Sequence, residues 1–182
     1  MNFPDSDFWN YSVQVYQIPE VEKTCLALQD NFQTDVNLLL YCCWAGDNKV
    51  KLSEDDIHRL IATALPWQSI IKPLRESRRL LKNEVIALNN NIAEETGNNL
   101  KEMELNAEHM AQLDIEKVLD LSSLKQNNEQ PASHYASCNA VLYMMQLSSV
   151  SSLNDVSELL TQFLDAIYQE PEAIQSTLMA LA

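Results

Sequence analysis

The sequence predicts an all-α fold in a single domain. Glycine occurs only twice in 182 residues, whereas sheet folds need more glycine in their turns. Leu, Ala, Glu and Gln, which favour helices, are frequent, and no segment shows the alternation of β-branched residues that is typical of a strand. We therefore expect a long kinked helix or a helical hairpin that packs on shorter helices.

Two short helices are expected at the N-terminus. Ser6 can cap a helix over about 7–16, because its hydroxyl can accept a hydrogen bond from a free N–H of the first turn. Pro19 opens a second helix, since the fixed φ of proline suits the first turn, and this helix ends near Asp30.

The third predicted helix is the central one. Thr34 or Asp35 caps it, and it stops at Gly46. Its residues are apolar nearly all round, which is typical of a helix that is buried on every side. Cys42 and Cys43 lie within this run and are expected to be buried thiols in a reducing compartment.

A heptad seam follows the central helix. A helix starts at Ser53, and Pro66 is expected to open another one at Trp67. From there, residues in alternating steps of four and three form the stripe along which a long helix packs on a partner helix. The residues of this stripe are Trp67, Ile71, Leu74, Arg78, Leu81, Val85, Leu88 and Ile92.

Two residues are expected to interrupt the long helices. Pro73 should kink the helix that carries the seam, and Gly97 is a plausible break or turn. A second long helix then covers about 100–124. The sequence leaves open whether 67–124 form a helical hairpin or one bent rod.

The remaining chain completes one domain, 1–182. Its main helical body is 1–124, and a polar segment that ends in proline, 125–131, is expected to be a linker. The C-terminal part, 132–182, should contain helices over about 133–147 and 154–168 and a short one that Pro171 opens.

Charge and hydropathy exclude several classes of partner. The net charge of −14 makes binding to nucleic acid or to anionic lipid improbable. The longest apolar stretch, 37–45, is far shorter than the roughly 20 residues that a membrane span needs. The N-terminus lacks the basic and apolar regions of a signal peptide, so a cytoplasmic protein is expected.

No catalytic or metal-binding motif is present. The cysteines lack the spacing of zinc ligands, and His109 has Asn106 where a helical di-iron site would place glutamate. Glycine-rich phosphate loops and nucleophile motifs are absent. The sequence therefore predicts no catalytic residue, no metal and no cofactor, and it leaves open whether the protein is an enzyme.

A basic cluster stands out in this acidic chain. It holds three of the four arginines, and Arg78 occupies a seam position between Leu74 and Leu81. A buried guanidinium needs a partner, because an unpaired buried charge is costly. The partner is either an internal acid, namely Asp35 or one on the helix over 100–124, or an anionic ligand. The candidate ligand-binding residues are Arg75, Arg78, Arg79, Asp35, Asn37, Trp44 and Trp67, although core packing also explains the two tryptophans.

Several sequence blocks resemble a known family. They are FW with Ser12 and Tyr16, CLALQD over 25–30, DVNLLLYC over 35–42 with Trp44 and Gly46, and PLR with RR and LK over 73–82. In these blocks the chain resembles a family of small, conserved, uncharacterised proteobacterial proteins that carry a domain of unknown function. The resemblance implies a bacterial cytoplasmic protein with one helical domain, and it implies no reaction.

Two functions fit these observations. The first is a non-enzymatic interaction or regulatory protein, whose partner is another protein or a second copy in a homodimer; it rests on the seam and on the acidic surface. The alternative is a protein that binds a small anionic ligand, or an enzyme, through Arg75, Arg78 and Arg79. Full internal pairing of these arginines would favour the first function, and a pocket that they line without neighbouring acids would favour the second.

Overall fold

The fold is all-α, as the sequence predicts. The computed structural model describes residues 3–83, 90–126 and 130–181, and within these ranges every regular element is a helix. The helices are α1 (Asp7–Tyr16), α2 (Pro19–Phe32), α3 (Val36–Asp47), α4 (Glu54–Asn83), α5 (Asn90–Glu116), α6 (Leu121–Leu124), α7 (Ala132–Met144), α8 (Leu153–Tyr168) and α9 (Pro171–Leu181).

The first three helices start where the sequence predicts. Ser6 Oγ accepts a hydrogen bond from the Trp9 N–H at 2.9 Å, and α2 begins at Pro19. Asp35, rather than Thr34, caps α3, because its carboxylate accepts from the Asn37 N–H at 2.9 Å. The hydroxyl of Thr34 instead donates to the carbonyl of Leu28 in α2. The predicted starts of these helices are therefore confirmed.

The predicted helix start at Pro66 and the predicted break at Gly97 are wrong. Helix α4 continues through Pro66 and Pro73, and α5 continues through Gly97. Each proline removes one backbone hydrogen bond, and the extensive packing of α4 against α5 offsets that loss. The second long helix also ends earlier than expected, at Glu116, and α6 is a separate turn that Asp120 caps.

Helices α4 and α5 form an antiparallel hairpin. Trp67 bonds to Asp114, Arg75 to Glu104, and Leu81 lies next to Gly97, so rising residue numbers on α4 meet falling numbers on α5. The chain therefore forms the hairpin and not the bent rod. Two predicted seam residues, Val85 and Leu88, lie outside the described residues. A third seam prediction is wrong, because Ile92 lies on α5 and is 60% exposed.

The core surrounds α3, as predicted. Leu39, Leu40 and Cys43 are buried, and α3 packs most extensively on α7. Asn139 of α7 is fully buried, and its amide accepts from the Leu52 N–H at 2.8 Å and donates to the Val50 carbonyl at 2.9 Å. The C-terminal helices α7, α8 and α9 thus share one hydrophobic core with the N-terminal body.

A close approach between α3 and α7 depends on Gly46. A Cβ atom at this position would lie 2.6 Å from the backbone nitrogen of Ala136 and 2.7 Å from its Cβ. We expect Gly46→Ala to lower the free energy of unfolding by about 1–3 kcal/mol, because the two backbones must separate. Urea denaturation measures this change.

Gly97→Ala is the matched control for Gly46→Ala. Both glycines lie in helices, but a Cβ at Gly97 would meet only Leu81 Cδ2, at 3.8 Å. This variant should be neutral or more stable by up to about 1 kcal/mol, because alanine is the better helix former. Equal destabilisation by both changes would contradict the assigned role of Gly46.

Among the described residues, no helix has both the length and the apolar character that crossing a membrane requires. The four cysteines are all buried and none is in a disulfide. Of the predicted linker, residues 127–129 lie outside the described ranges, and Gln126 donates its N–H to the Lys49 carbonyl at 3.0 Å.

Candidate functional site

Arg75 joins three helices. Its Nε donates to Glu104 Oε1 at 2.7 Å and its Nη2 to Glu108 Oε1 at 2.7 Å, both on α5. Its Nη1 donates to Gln29 Oε1 at 2.6 Å, on α2. The side chain is only 16% exposed, and that of Glu104 only 8%. Every nitrogen of this guanidinium therefore has an internal acceptor, and the contacts fix the hairpin against the body.

The two neighbouring arginines are also paired internally. Arg78 Nε donates to Glu104 Oε2 at 2.7 Å, so one carboxylate bridges Arg75 and Arg78. The side chain of Arg78 is 31% exposed, so Arg75, at 16%, is the more buried of the two arginines. Arg79 forms a longer ion pair of 3.3 Å with Asp30 at the surface. The acid that pairs with Arg78 lies on the helix that the sequence suggested, and it is not Asp35.

Asp35 and Asn37 extend the polar contacts to the central helix. Gln68 of α4 donates to the carboxylate of Asp35 at 2.7 Å, and the hydroxyl of Tyr143 accepts from the Asp35 N–H at 2.8 Å. Gln112 of α5 donates to the side-chain carbonyl of Asn37 at 2.7 Å. The N-terminus of α3 is thereby tied to both helices of the hairpin.

The acids of this cluster differ in their electrostatics. Burial raises the pKa of Asp35 above its usual value, although hydrogen bonds from Asn37 and Gln68 oppose the change. Burial likewise raises the pKa of Glu108, against the attraction of Arg75. For Glu104, hydrogen bonds from Arg78 and Arg75 outweigh the effect of burial and lower the pKa. Glu104 is thus the carboxylate that the two arginines hold in its charged form.

The polar cluster encloses very little space. A cavity of about 10 Å³ lies among residues of α2, α3, α4 and α5, including Gln29, Asp35, Gln68, Arg75 and Glu108. That volume corresponds to about one water molecule. A groove of about 510 Å³ lies elsewhere, between α8 and α9, and none of the predicted ligand-binding residues lines it. Of the predicted ligand-binding residues, only Asp35, Asn37 and Arg75 line the small cavity, and their side chains are bonded to neighbouring residues of the chain.

The two tryptophans lie among other side chains of the protein. Trp44 packs against the rings of Phe8 and Tyr41, with centroids 5.3 and 5.4 Å away. Trp67 packs beside Ile71 and donates its indole N–H to Asp114 at 3.0 Å. Both arrangements match the core-packing interpretation. In the described ranges, no group of three or more His, Cys, Asp or Glu side chains is placed to hold a metal ion.

Two glutamines of the network were not found from the sequence. Gln68 and Gln112 connect the hairpin to α3, yet a single glutamine on a helix carries no signal of burial. Gln29 was easier to predict, because it is a polar residue next to an apolar block. The acids of α5 were also easier to predict, because that helix carries enough carboxylates to balance the arginines of α4.

The far end of the hairpin extends into solvent. No residue is buried within 80–83 of α4 or within 91–100 of α5. The contacts to α2 and α3 lie nearer the body, at Gln68, Arg75 and Arg79. The hairpin is therefore an arm whose base is fixed by polar contacts and whose described outer part, 80–83 and 91–100, has no buried residue.

Comparison with known proteins identifies a family and no closer relative. A family model described as "protein of unknown function (DUF2390)" matches residues 7–115, more than half of the chain. The match contains α1 to α4, nearly all of α5, and the whole arginine and carboxylate cluster. Neither a curated protein nor a solved structure matches the chain.

Proposed function

The chain belongs to the protein family of unknown function DUF2390, and from the geometry of its hairpin we propose that it is a non-enzymatic interaction or regulatory protein. The α4–α5 hairpin is the element that binds the partner. The observation that carries this proposal is the internal pairing of Arg75, Arg78 and Arg79, each with a carboxylate of the same chain.

The paired arginines support a structural role for the cluster. Arg75 holds α4, α5 and α2 together, and such buried charge-assisted hydrogen bonds restrict the hairpin to one orientation. Helix α5 alone has 27 residues and is about 40 Å long. A long helical arm with a fixed base, and with no buried residue over 80–83 and 91–100, suits contact with another macromolecule.

The alternative, binding of a small anion by the same arginines, has less support. An anion would have to displace Glu104 and Glu108, and the enclosed volume has room for about one water molecule. Phosphate or a dicarboxylate that raised the melting temperature of the wild type, but not of Arg78→Leu, would favour this alternative.

A bacterial cytoplasmic location is part of the proposal. The four free cysteines are buried, and burial raises the pKa of Cys25 to about 12, so this thiol stays protonated and unreactive. Buried free thiols are common in reducing compartments.

Site-specific photo-crosslinking tests the proposed function. A benzophenone amino acid placed at Leu80 or Met103 of the hairpin should give a discrete crosslinked product in cells that produce the protein. The matched control position is Met179, an exposed residue of α9. We expect products from the two hairpin positions and none from position 179, as judged by immunoblotting and mass spectrometry.

Two results would contradict the proposal. One is the absence of any product from the hairpin positions at normal protein levels. The other is a product from position 179 with none from positions 80 and 103, because the partner would then contact α9 and not the hairpin.

A further inference from the structure

Cys138 of α7 differs from the other three cysteines of the chain. Its Sγ lies 3.8 Å from Nε2 of His134, one turn earlier on the same helix. Among the described residues it is the one thiol within hydrogen-bond distance of an imidazole nitrogen. It is also 8% exposed, whereas the other three cysteines are at most 1% exposed. A cysteine beside a histidine is the pairing by which proteins activate a thiol as a nucleophile.

The hydrogen bonds around His134 determine which ring nitrogen carries the proton. Thr177 of α9 donates its hydroxyl proton to the carbonyl of Ala173 at 2.9 Å. The oxygen of that hydroxyl therefore accepts from Nδ1 of His134, which lies 3.2 Å away. A neutral imidazole that is protonated on Nδ1 has a free lone pair on Nε2. The nitrogen that faces Cys138 is thus the basic one, and it accepts the S–H of the thiol.

Two helices hold these three side chains in place. His134 and Cys138 are four positions apart on α7, so they lie on one face of that helix. Helix α9, which packs against α7, supplies Thr177. The contacts run from the sulfur to Nε2 and from Nδ1 to the threonine oxygen, which is the order of a nucleophile, its base and a group that orients the base.

Two opposing effects act on the thiol of Cys138. Burial raises the pKa of Cys138 above its usual value, and the positive charge of Lys51 opposes that change. Lys51 is held near α7 because the backbone groups of Val50 and Leu52 on either side of it bond to Asn139. The thiol is therefore protonated at rest and needs a base to react, while the nearby ammonium group favours the negative charge that develops on sulfur.

The low exposure of Cys138 restricts the reactant to a small electrophile. Hydrogen peroxide and small alkyl hydroperoxides are compact and uncharged, so they can reach a thiol that bulky reagents cannot. A thiol that such an oxidant reaches is converted first to a sulfenic acid.

We propose that Cys138, His134 and Thr177 form a thiol oxidation site that reacts with a small hydroperoxide. The sulfur attacks one oxygen of the peroxide, and the O–O bond breaks. The thiol proton passes to Nε2 of His134 and from there to the leaving oxygen, which departs as water or an alcohol. Cys138 is oxidised to the sulfenic acid, and the peroxide is reduced by the same two electrons. This site goes beyond the proposed function and does not depend on it.

Mass spectrometry of the folded, full-length protein tests the proposal. Hydrogen peroxide is the oxidant, and dimedone, which reacts with sulfenic acids, is the trap. We expect dimedone on Cys138 well before it appears on Cys25, Cys42 or Cys43. This comparison uses the wild type alone, so it decides the matter even where a variant fails to fold. Labelling of Cys138 no faster than that of Cys25 would overturn the proposal.

His134→Gln should lower the rate constant for oxidation of Cys138 at least about tenfold, because a positioned general base contributes about 10²–10⁴-fold. His58→Gln is the matched control, since His58 bonds to Gln146 and not to a thiol, and its rate should equal that of the wild type. Unchanged circular dichroism shows that each variant folds. A wild-type rate in folded His134→Gln would contradict the role of His134 as the base.

Thr177 is a positioning residue, and two variants separate its role from a general effect on packing. Thr177→Val keeps the size of the side chain but removes the acceptor for Nδ1–H, so the base is no longer held in the reactive tautomer and the oxidation rate should fall several-fold. Thr177→Ser keeps the oxygen and should retain nearly the wild-type rate. Equal rates in the valine and serine variants would overturn the assignment of Thr177.

Discussion

Replacing Arg75 with leucine is expected to lower the free energy of unfolding by about 3–5 kcal/mol. The change removes the cation that bonds to Glu104 and Glu108, and it leaves Glu108 unpaired one turn from Glu104, which keeps its bond to Arg78. Removing one partner of a buried ion pair has this cost because the remaining charge stays desolvated. Urea denaturation monitored by circular dichroism measures it.

Arg79→Leu is the matched control on the same helix. Arg79 and Asp30 are about half exposed, and exposed ion pairs contribute about 0–1 kcal/mol. A second comparison adds Glu108→Leu to Arg75→Leu, which should restore part of the lost stability because one unpaired acid is removed. If Arg75→Leu and Arg79→Leu were equally mild, Arg75 would not hold the hairpin to the body.

Leu39→Ala is expected to lower the free energy of unfolding by about 2–5 kcal/mol. Leu39 is fully buried in α3, a helix that contacts helices from both halves of the chain. Truncating a buried leucine removes apolar contacts and leaves a cavity that the surrounding helices fill only in part. Thermal and urea denaturation both report the change.

Leu65→Ala provides the corresponding control, because Leu65 also lies within a helix but is 63% exposed. Its replacement should change stability by no more than about 0.5 kcal/mol. Wild-type stability in Leu39→Ala would mean that α3 is not the centre of the core.

Much of the local structure was predictable from short-range chemistry. Ser6, Pro19 and Asp35 define helix starts through contacts with residues two or three positions away, so the signal is present in the sequence itself. The uniformly apolar character of α3 likewise required burial on all sides. The predicted acid partners of the arginines followed from charge balance, because α5 offered carboxylates opposite a basic helix.

The tertiary structure decided the features that depend on distant residues. By local rules Pro66 was expected to open a new helix, yet α4 runs through it because packing against α5 offsets the lost hydrogen bond. Gln68 and Gln112 became part of the polar network only when α3 was brought beside the hairpin.

The sequence by itself determined the helical class, the helix caps and the need to pair the arginines, because each depends on the intrinsic properties of neighbouring residues. Only the tertiary structure decided that α4 and α5 pack as an antiparallel hairpin and that Arg75 rather than Arg78 is the more buried arginine. The physical reason is that burial and exposure depend on which helices meet, and such contacts join residues far apart in the chain.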